Sequence, residues 1–328
     1  MVSCDIYLNE TTRHAHVILP GLSPLEAPHY DLALWQLAAR NVANYSPPVF
    51  PAPACRPTEW QTVLKLTAIV MGQGAAADPD VLDDFVARQQ VEEAVGASGS
   101  PIAGRSVDDI LAALAPRRGP DRLLDLMLRT GPYGDGFGAV PGGLSLDVLE
   151  RHPHGVDLGP LAPRIPEVLR TPSGKIELAP AAIVADVARL RAVLERAAAP
   201  LVLIGRRDLR SNNSWMHNVE NLVRGKARCT LLMHPTDAAR AALADGDTAC
   251  VRSRVGVVLV PVEVTDAIMP GVVSIPHGWG HDAEGTRLRV AREHAGVNTN
   301  LLADEAQMDP LSGNAVLNGI PVTVERAA

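Results

Sequence analysis

The sequence predicts a mixed, largely helical first part followed, beyond residue 200, by a small closed or nearly closed β-barrel. Three observations carry this expectation. Residues 59–130 hold successive apolar faces at helical spacing. From Leu201 onward the chain breaks into short apolar runs separated by Gly turns. The chain is 47% hydrophobic but only 3% aromatic, so Ala, Val and Leu must fill its cores.

Taken in order, residues 1–20 hold two short apolar segments, around Ile6–Leu8 and Val17–Leu19, and the chain starts almost at once with a strand-like Asp5-Ile6-Tyr7-Leu8. Between them Asn9, Thr11 and Thr12 are cap candidates for a turn or short helix. Tyr30–Asn41 has helical periodicity through Leu32, Leu34, Trp35, Leu37 and Ala38, and residues 45–58 are Pro-rich and extended. Helices are expected over Glu59–Met71, Pro79–Val95, Ser106–Ala115 and Asp121–Arg129, the third opening on a near capping box. Residues 131–143 carry six glycines in thirteen positions. They fit the spelling of a dinucleotide-binding glycine motif, but no strand precedes them and no helix start follows, so the segment reads as a loop. Residues 152–180 read as loop, and Ala181–Ala198 as a helix. Strands follow at Leu201–Ile204, Thr230–Met233, Thr248–Ser253, Val257–Thr265 and Val272–Ile275. A helix is expected at Pro235–Leu243, and turns at Asp245-Gly246-Asp247, Arg254-Val255-Gly256 and Met269-Pro270-Gly271.

At 328 residues the length suits about two domains. A net charge of −7 argues against a general nucleic-acid binder. No uncharged apolar run is long enough for a membrane span, and the N-terminus lacks the layout of a signal peptide. Cys4, Cys55, Cys229 and Cys250 are too far apart for metal or redox spacing and read as reduced thiols of a cytoplasmic protein. The His pairs 14/16, 152/154 and 277/281 lack a second ligand set, so no protein-only metal site is expected. No nucleophile has an identifiable partner base, and no catalytic residue is assigned.

The chemistry concentrates in Leu201–Asn218, LVLIGRRDLRSNNSWMHN. An apolar strand ends at Gly205 and is followed by three arginines and a run of hydrogen-bonding side chains. Guanidinium matches phosphate oxygens two at a time, and Asn and Trp can hold and stack a planar ring. That composition suits an anionic ligand with a pyrophosphate and a heterocycle; a solvated basic loop is the plainer alternative. Two further polar loops follow apolar strands: Pro276–Asp282, and Val297–Leu302 continuing to Asp309–Asn314.

The order of segments Thr171–Glu177, Gly205-Arg206-Arg207, Leu243–Ser253, Met269–Gly278, Asn298–Asn300 and Asp309–Gly313 resembles the C-terminal part of the molybdopterin oxidoreductases, the bis-molybdopterin guanine dinucleotide enzymes that include formate dehydrogenases and nitrate reductases. Asp5–Pro20 is similar to the end of that family's α/β domain, with His16 where the family usually has Asp. The resemblance implies the end of an α/β domain with a helical region over 1–180, then a molybdopterin dinucleotide-binding double-psi β-barrel over 181–328. It implies molybdopterin guanine dinucleotide with Mo or W as cofactor, contacted by Gly205, Arg206, Arg207, Asn212, Trp215, His217, His277, Gly278, Asn298, Asn300 and Asp309. In such enzymes the iron–sulfur motif lies in the N-terminal region and the residue that ligates molybdenum further along but well before the end, and this sequence resembles neither region. The expectation is therefore formate dehydrogenase-like redox chemistry completed by a missing N-terminal half or by an electron-transfer partner subunit. The alternative is a non-catalytic cofactor-binding or interaction module from a truncated gene.

Overall fold

The computed structural model describes residues 1–195 and 199–327. The chain divides into one unit of Met1–Ile18 with Leu169–Ala328 and another of Leu19–Val168. No helix among the described residues is long and apolar enough to cross a membrane.

Strands β1 (Val2–Cys4) and β2 (Val17–Leu19) pair with each other. The strand expected over Asp5–Leu8 is thus displaced toward the N-terminus. The Asp5 carboxylate accepts from the Tyr7 N–H at 3.0 Å and from Asn9 Nδ2 at 2.8 Å, and this local turn ends β1. As the cap candidates suggested, Asn9 Oδ1 accepts the N–H groups of Thr11 and Thr12, and a 3-10 turn spans Thr12–His14.

In the middle unit the helix expected over Tyr30–Asn41 does not form. A 3-10 turn at Trp35–Leu37 leads into β3 (Arg40–Ala43). The periodic leucines that suggested a helix, Leu32, Leu34 and Leu37, are all exposed, so no apolar partner rewards a helical face there. Four helices do form where the apolar pattern places them: α1 (Glu59–Val70), α2 (Pro79–Gly96), α3 (Val107–Leu114) and α4 (Gly119–Thr130). Thr58 and Gln61 make a reciprocal capping box on α1, while Asp78 and Ser106 cap α2 and α3. The glycine-rich segment 131–143 is loop. After it come α5 (Leu146–Glu150) and β4 (Val156–Pro160). The latter corrects the loop expected from residue 152: β4 pairs antiparallel with β3 across more than a hundred residues, a partnership no local pattern reveals. Two apolar clusters, one around Leu146 and Leu149 and one around Val91, Ile102, Ile110 and Leu114, fill the unit.

In the other unit, the helix expected over Ala181–Ala198 is two short ones, α6 (Ala181–Ala185) and α7 (Val187–Leu194), broken at Asp186; residues 196–198 lie outside the described residues. The barrel then runs through β5 (Leu201–Arg206), α8 (Glu220–Val223), β6 (Leu231–Met233), α9 (Pro235–Arg240), β7 (Thr248–Arg252), β8 (Val257–Val264), β9 (Val272–Pro276), α10 (Arg289–Glu293) and β10 (Ile320–Arg326). The six strands close in the order β10-β5-β9-β6-β8-β7. Pairs β5/β9 and β6/β8 are parallel and the other four antiparallel, in keeping with a double-psi β-barrel. Strand β8 shows the period of a half-buried strand: Val258, Val260 and Val262 point inward, joining Leu231, Met233, Val251, Val273 and Ile275 in the core. Strand β10 has no counterpart in the sequence-based strand assignment.

Candidate functional site

Strands β5 and β9 run parallel, with Gly205 beside Ile275 and Arg206 beside Pro276. Their following loops therefore leave the barrel side by side, roughly 4.8 Å apart at the strand ends. Beside them lies a cavity of ≈ 270 Å³. Four of the sequence-predicted residues line it: Gly205, Arg207, His277 and Asn300. Its floor is apolar, with Leu203, Ile275 and Ile320, while Thr299 and Asn318 add polar groups at the rim. A larger cavity of ≈ 370 Å³ lies in the helical unit, lined largely by Tyr30, Trp35, Leu124, Leu128 and other apolar side chains. It contains none of the predicted site residues, so the smaller, polar-rimmed cavity is the candidate site.

The two neighbouring arginines have different environments. Arg206 turns back into the barrel, donating to the Ser274 carbonyl at 2.6 Å, the Arg228 carbonyl at 3.1 Å and the Thr230 hydroxyl at 2.9 Å. Burial pulls its pKa below the usual arginine value, and it spends its donors on protein groups. Arg207 is exposed at the cavity and contacts His277 Nε2 at 3.3 Å. The same ring nitrogen lies 2.9 Å from Asn213 Oδ1, so one imidazole bridges two positions of the loop after β5. Arg207 retains further N–H groups for an anion.

The other predicted residues are dispersed around these. Asn212 and Asn213 both take left-handed backbone, with φ of 42° and 62°, which turns the loop. Asn212 and Trp215 sit on its exposed side, with Trp215 69% accessible. Gly278 is required where it stands: a Cβ there would meet the Asn213 carbonyl oxygen at 2.4 Å. Asn298 underlies Gly280, where a Cβ would lie 2.5 Å from the Asn298 Cβ, and caps the 3-10 turn Thr299–Leu302. Asp309 accepts from Ser312 and from Arg189, which together hold its carboxyl below the usual range. His217 is buried, stacked on Trp279 with ring centroids 3.9 Å apart, and Nδ1 lies 2.8 Å from His281 Nε2. Burial first, and His281 second, push its pKa down to about 4.

Asn318 escaped the sequence reading. Its Oδ1 accepts the Gly205 N–H at 2.8 Å and the following Gly319 N–H bonds the Leu203 carbonyl at 2.9 Å, closing the cavity edge. The only signal was an Asn-Gly pair directly before an apolar alternation, which reads as a turn before it reads as a site. Among the described residues, no three His, Cys, Asp or Glu side chains gather as a metal site. His277 and His281 face different partners, Arg207 and Asn213 in one case, His217 and Glu10 in the other.

Comparison with known proteins reaches the barrel that carries these loops. The Molydopterin dinucleotide binding domain family matches residues 201–321, the barrel and its loops. A dimethyl sulfoxide/trimethylamine N-oxide reductase of Rhodobacter capsulatus is 39% identical over 93 residues, 28% of this chain and 11% of that protein. A tetrathionate reductase chain of Salmonella typhimurium is 31% identical over 116 residues, 29% of this chain and 11% of that protein. The match to each curated relative thus spans about a tenth of its length. Acetylene hydratase from Pelobacter acetylenicus shares the fold, with a TM-score of 0.58 and 19% identity over 94% of this chain and 38% of that one. Residues 201–321 are therefore a molybdopterin dinucleotide-binding domain.

Proposed function

We propose that the cavity beside β5 and β9 holds part of a molybdopterin guanine dinucleotide, and that the chain serves as the cofactor-binding part of a molybdenum-dependent oxidoreductase. The observation that carries this is the grouping of Arg207, His277, Asn300 and Asn318 around one cavity at the ends of two parallel strands, inside the matched segment. The donor set fits the group. Arg207 offers guanidinium N–H groups to a phosphate oxygen, and Asn300 and Thr299 offer amide and hydroxyl partners to a ring edge or ribose. Gly205 lets the ligand approach the strand backbone. Arg206, Gly278 and Asn298 act one layer below, by holding the two loops.

When bound, the cofactor supplies two-electron redox chemistry at its metal, molybdenum or tungsten; the chain's residues bind and orient it. The matched relatives are named for different substrates, so the shared barrel specifies the cofactor, not the substrate. Formate dehydrogenase-like chemistry is one member of the reaction class this reading allows. The metal's protein ligand, and an iron–sulfur cluster where one exists, would come from a further segment or an electron-transfer partner. Four free thiols fit a reducing compartment, the cytoplasm.

The test is to express the full chain in a host that makes the dinucleotide, purify it, and hydrolyse it in acid. Guanine nucleotide and a fluorescent oxidised pterin should be released in equal amounts. A folded chain that yields neither, alone and with an added N-terminal partner, overturns the reading.

A further inference from the structure

Three residues from three separate segments form a chain of hydrogen bonds beneath the candidate site. Glu10 Oε1 lies 3.0 Å from His281 Nδ1, and His281 Nε2 lies 2.8 Å from His217 Nδ1. Both histidines are 2% accessible, whereas the Glu10 side chain reaches the surface. The segment carrying Glu10 is pinned on both sides: the Arg287 N–H donates to the Leu8 carbonyl at 2.8 Å, and Arg13 donates to the Glu284 carbonyl at 2.6 Å. His217 Nε2 is sealed from solvent without a well-formed hydrogen bond.

The direction of this chain follows from what each atom can do. An ionised carboxylate only accepts, so the proton facing Glu10 must sit on His281 Nδ1. In a neutral imidazole the other nitrogen then carries a lone pair, so His281 Nε2 accepts. His217 must accordingly donate from Nδ1 and keep its lone pair on Nε2, the atom that lacks a partner. The opposite order would aim a lone pair of His281 at the carboxylate, a cost that outweighs the contact a His217 Nε2–H would gain with the Gly278 backbone.

We propose that Glu10 is a positioning residue for the cofactor cradle: through His281 it fixes His217 in the Nδ1–H tautomer, and so clamps the loop after β5 onto the loop after β9. This rests on the cofactor reading above. His217 ends the loop that carries Arg207 and Asn213, and His281 ends the loop that carries His277. The clamp therefore sets the distance between the two sides of the Arg207–His277–Asn213 bridge. Trp279, stacked on His217, closes it from the side.

The experiment uses the full chain with ¹⁵N-labelled histidine, made in a host that produces the dinucleotide, and reads ring-nitrogen shifts together with pterin released per chain. His217→Asn, whose amide N–H falls near the Nδ1 position, assigns the His217 signal and serves as the conservative variant. Wild type should show N–H at Nδ1 and a lone pair at Nε2 of His217. Glu10→Gln, which can present an N–H to His281 Nδ1, should move the His217 proton to Nε2. It should also lower retained pterin at least threefold, with a thermal midpoint within a few degrees of wild type. His217→Asn should retain most of the pterin and His217→Leu little. A His217 Nε2–H tautomer in pterin-loaded wild type, or unchanged tautomer and pterin in Glu10→Gln, overturns the clamp and leaves the cofactor reading standing. Wild type with the Nδ1–H tautomer but no pterin overturns the cofactor reading, and with it the cradle role, while the tautomer order stands.

Discussion

The Arg206 guanidinium donates to the Ser274 carbonyl at 2.6 Å, tying the end of β5 to the middle of β9 from inside the barrel. Its neighbour Arg207 points outward to the cavity. One step along an extended strand reverses the side chain, so two adjacent arginines hold different jobs.

The two substitutions should therefore separate. Arg206→Ala leaves buried carbonyls and the Thr230 hydroxyl short of a donor and should cost about 3 kcal/mol of stability. Arg207→Ala should change stability by about 0.5 kcal/mol or less, as surface substitutions do, yet reduce retained pterin severalfold. Thermal unfolding and acid-released pterin measure the two effects. Comparable stability losses in both variants would contradict the assignment.

Gly278 holds φ +89° against the Asn213 carbonyl. Gly278→Ala has neither the space nor the backbone preference it needs, and the loop after β5 should lift away. Limited proteolysis should then cut within 207–216 at least tenfold faster than in wild type, with the barrel strands still protected.

Acid should weaken the barrel unit through His217. Its folded-state pKa, about 4, lies below the ordinary value of 6.5, because burial and the adjacent His281 disfavour the charged ring; the Gly278 backbone and Asp208 oppose that shift and Arg228 reinforces it. The unfolded chain thus binds the proton first. The contribution is fully present above pH 6.5, is lost progressively as pH falls toward 4, and levels off below. Between pH 7.5 and 5, wild type should lose more thermal stability than His217→Asn. Parallel curves would contradict this.

In the helical unit, the buried Asp83 carboxylate accepts the Gly119 N–H with both oxygens at 3.1 Å and pairs with buried Arg122. Asp83→Ala leaves the buried Arg122 guanidinium to the exposed Asp84 carboxylate, 2.8 Å away, and the Gly119 N–H without its acceptor, and should cost about 3 kcal/mol. Trp60 lies over Gly119, where a Cβ would meet its ring at 2.6 Å. Its fluorescence should report the loss at a lowered midpoint.

Legibility tracked the range over which each feature is encoded. Helices α1 to α3 are readable because each has an apolar period and a capping side chain (Thr58, Asp78, Ser106) within a few residues, and α9 is legible at Pro235, whereas α8 and α10 are too short to show a period. The β5 run was legible as a strand, although only Leu203 of its apolar residues is fully buried. Tyr30–Asn41 misled because its periodic leucines face solvent, and β3 and β4 were hidden because each is defined by the other. Within the site, residue type located the loops, but not the direction of side chains on them. Arg206 and Arg207 looked equivalent, His217 looked available, and Asn318 looked like a turn.

Barrel closure sets an order of events. Strand β10, Ile320–Arg326, pairs with both β5 and β7 and is the last strand in the sequence, so the ring is joined by residues lying more than a hundred positions beyond β5. Asn318, which caps Gly205, travels with that strand. On a ribosome the cavity edge cannot exist until β10 has cleared the exit tunnel, and loop closure over so long a separation is slow compared with helix formation in the preceding unit. The cavity is thereby completed only after β10 has emerged, and a nascent polypeptide halted before residue 318 would present the arginine loop without the pocket beside it.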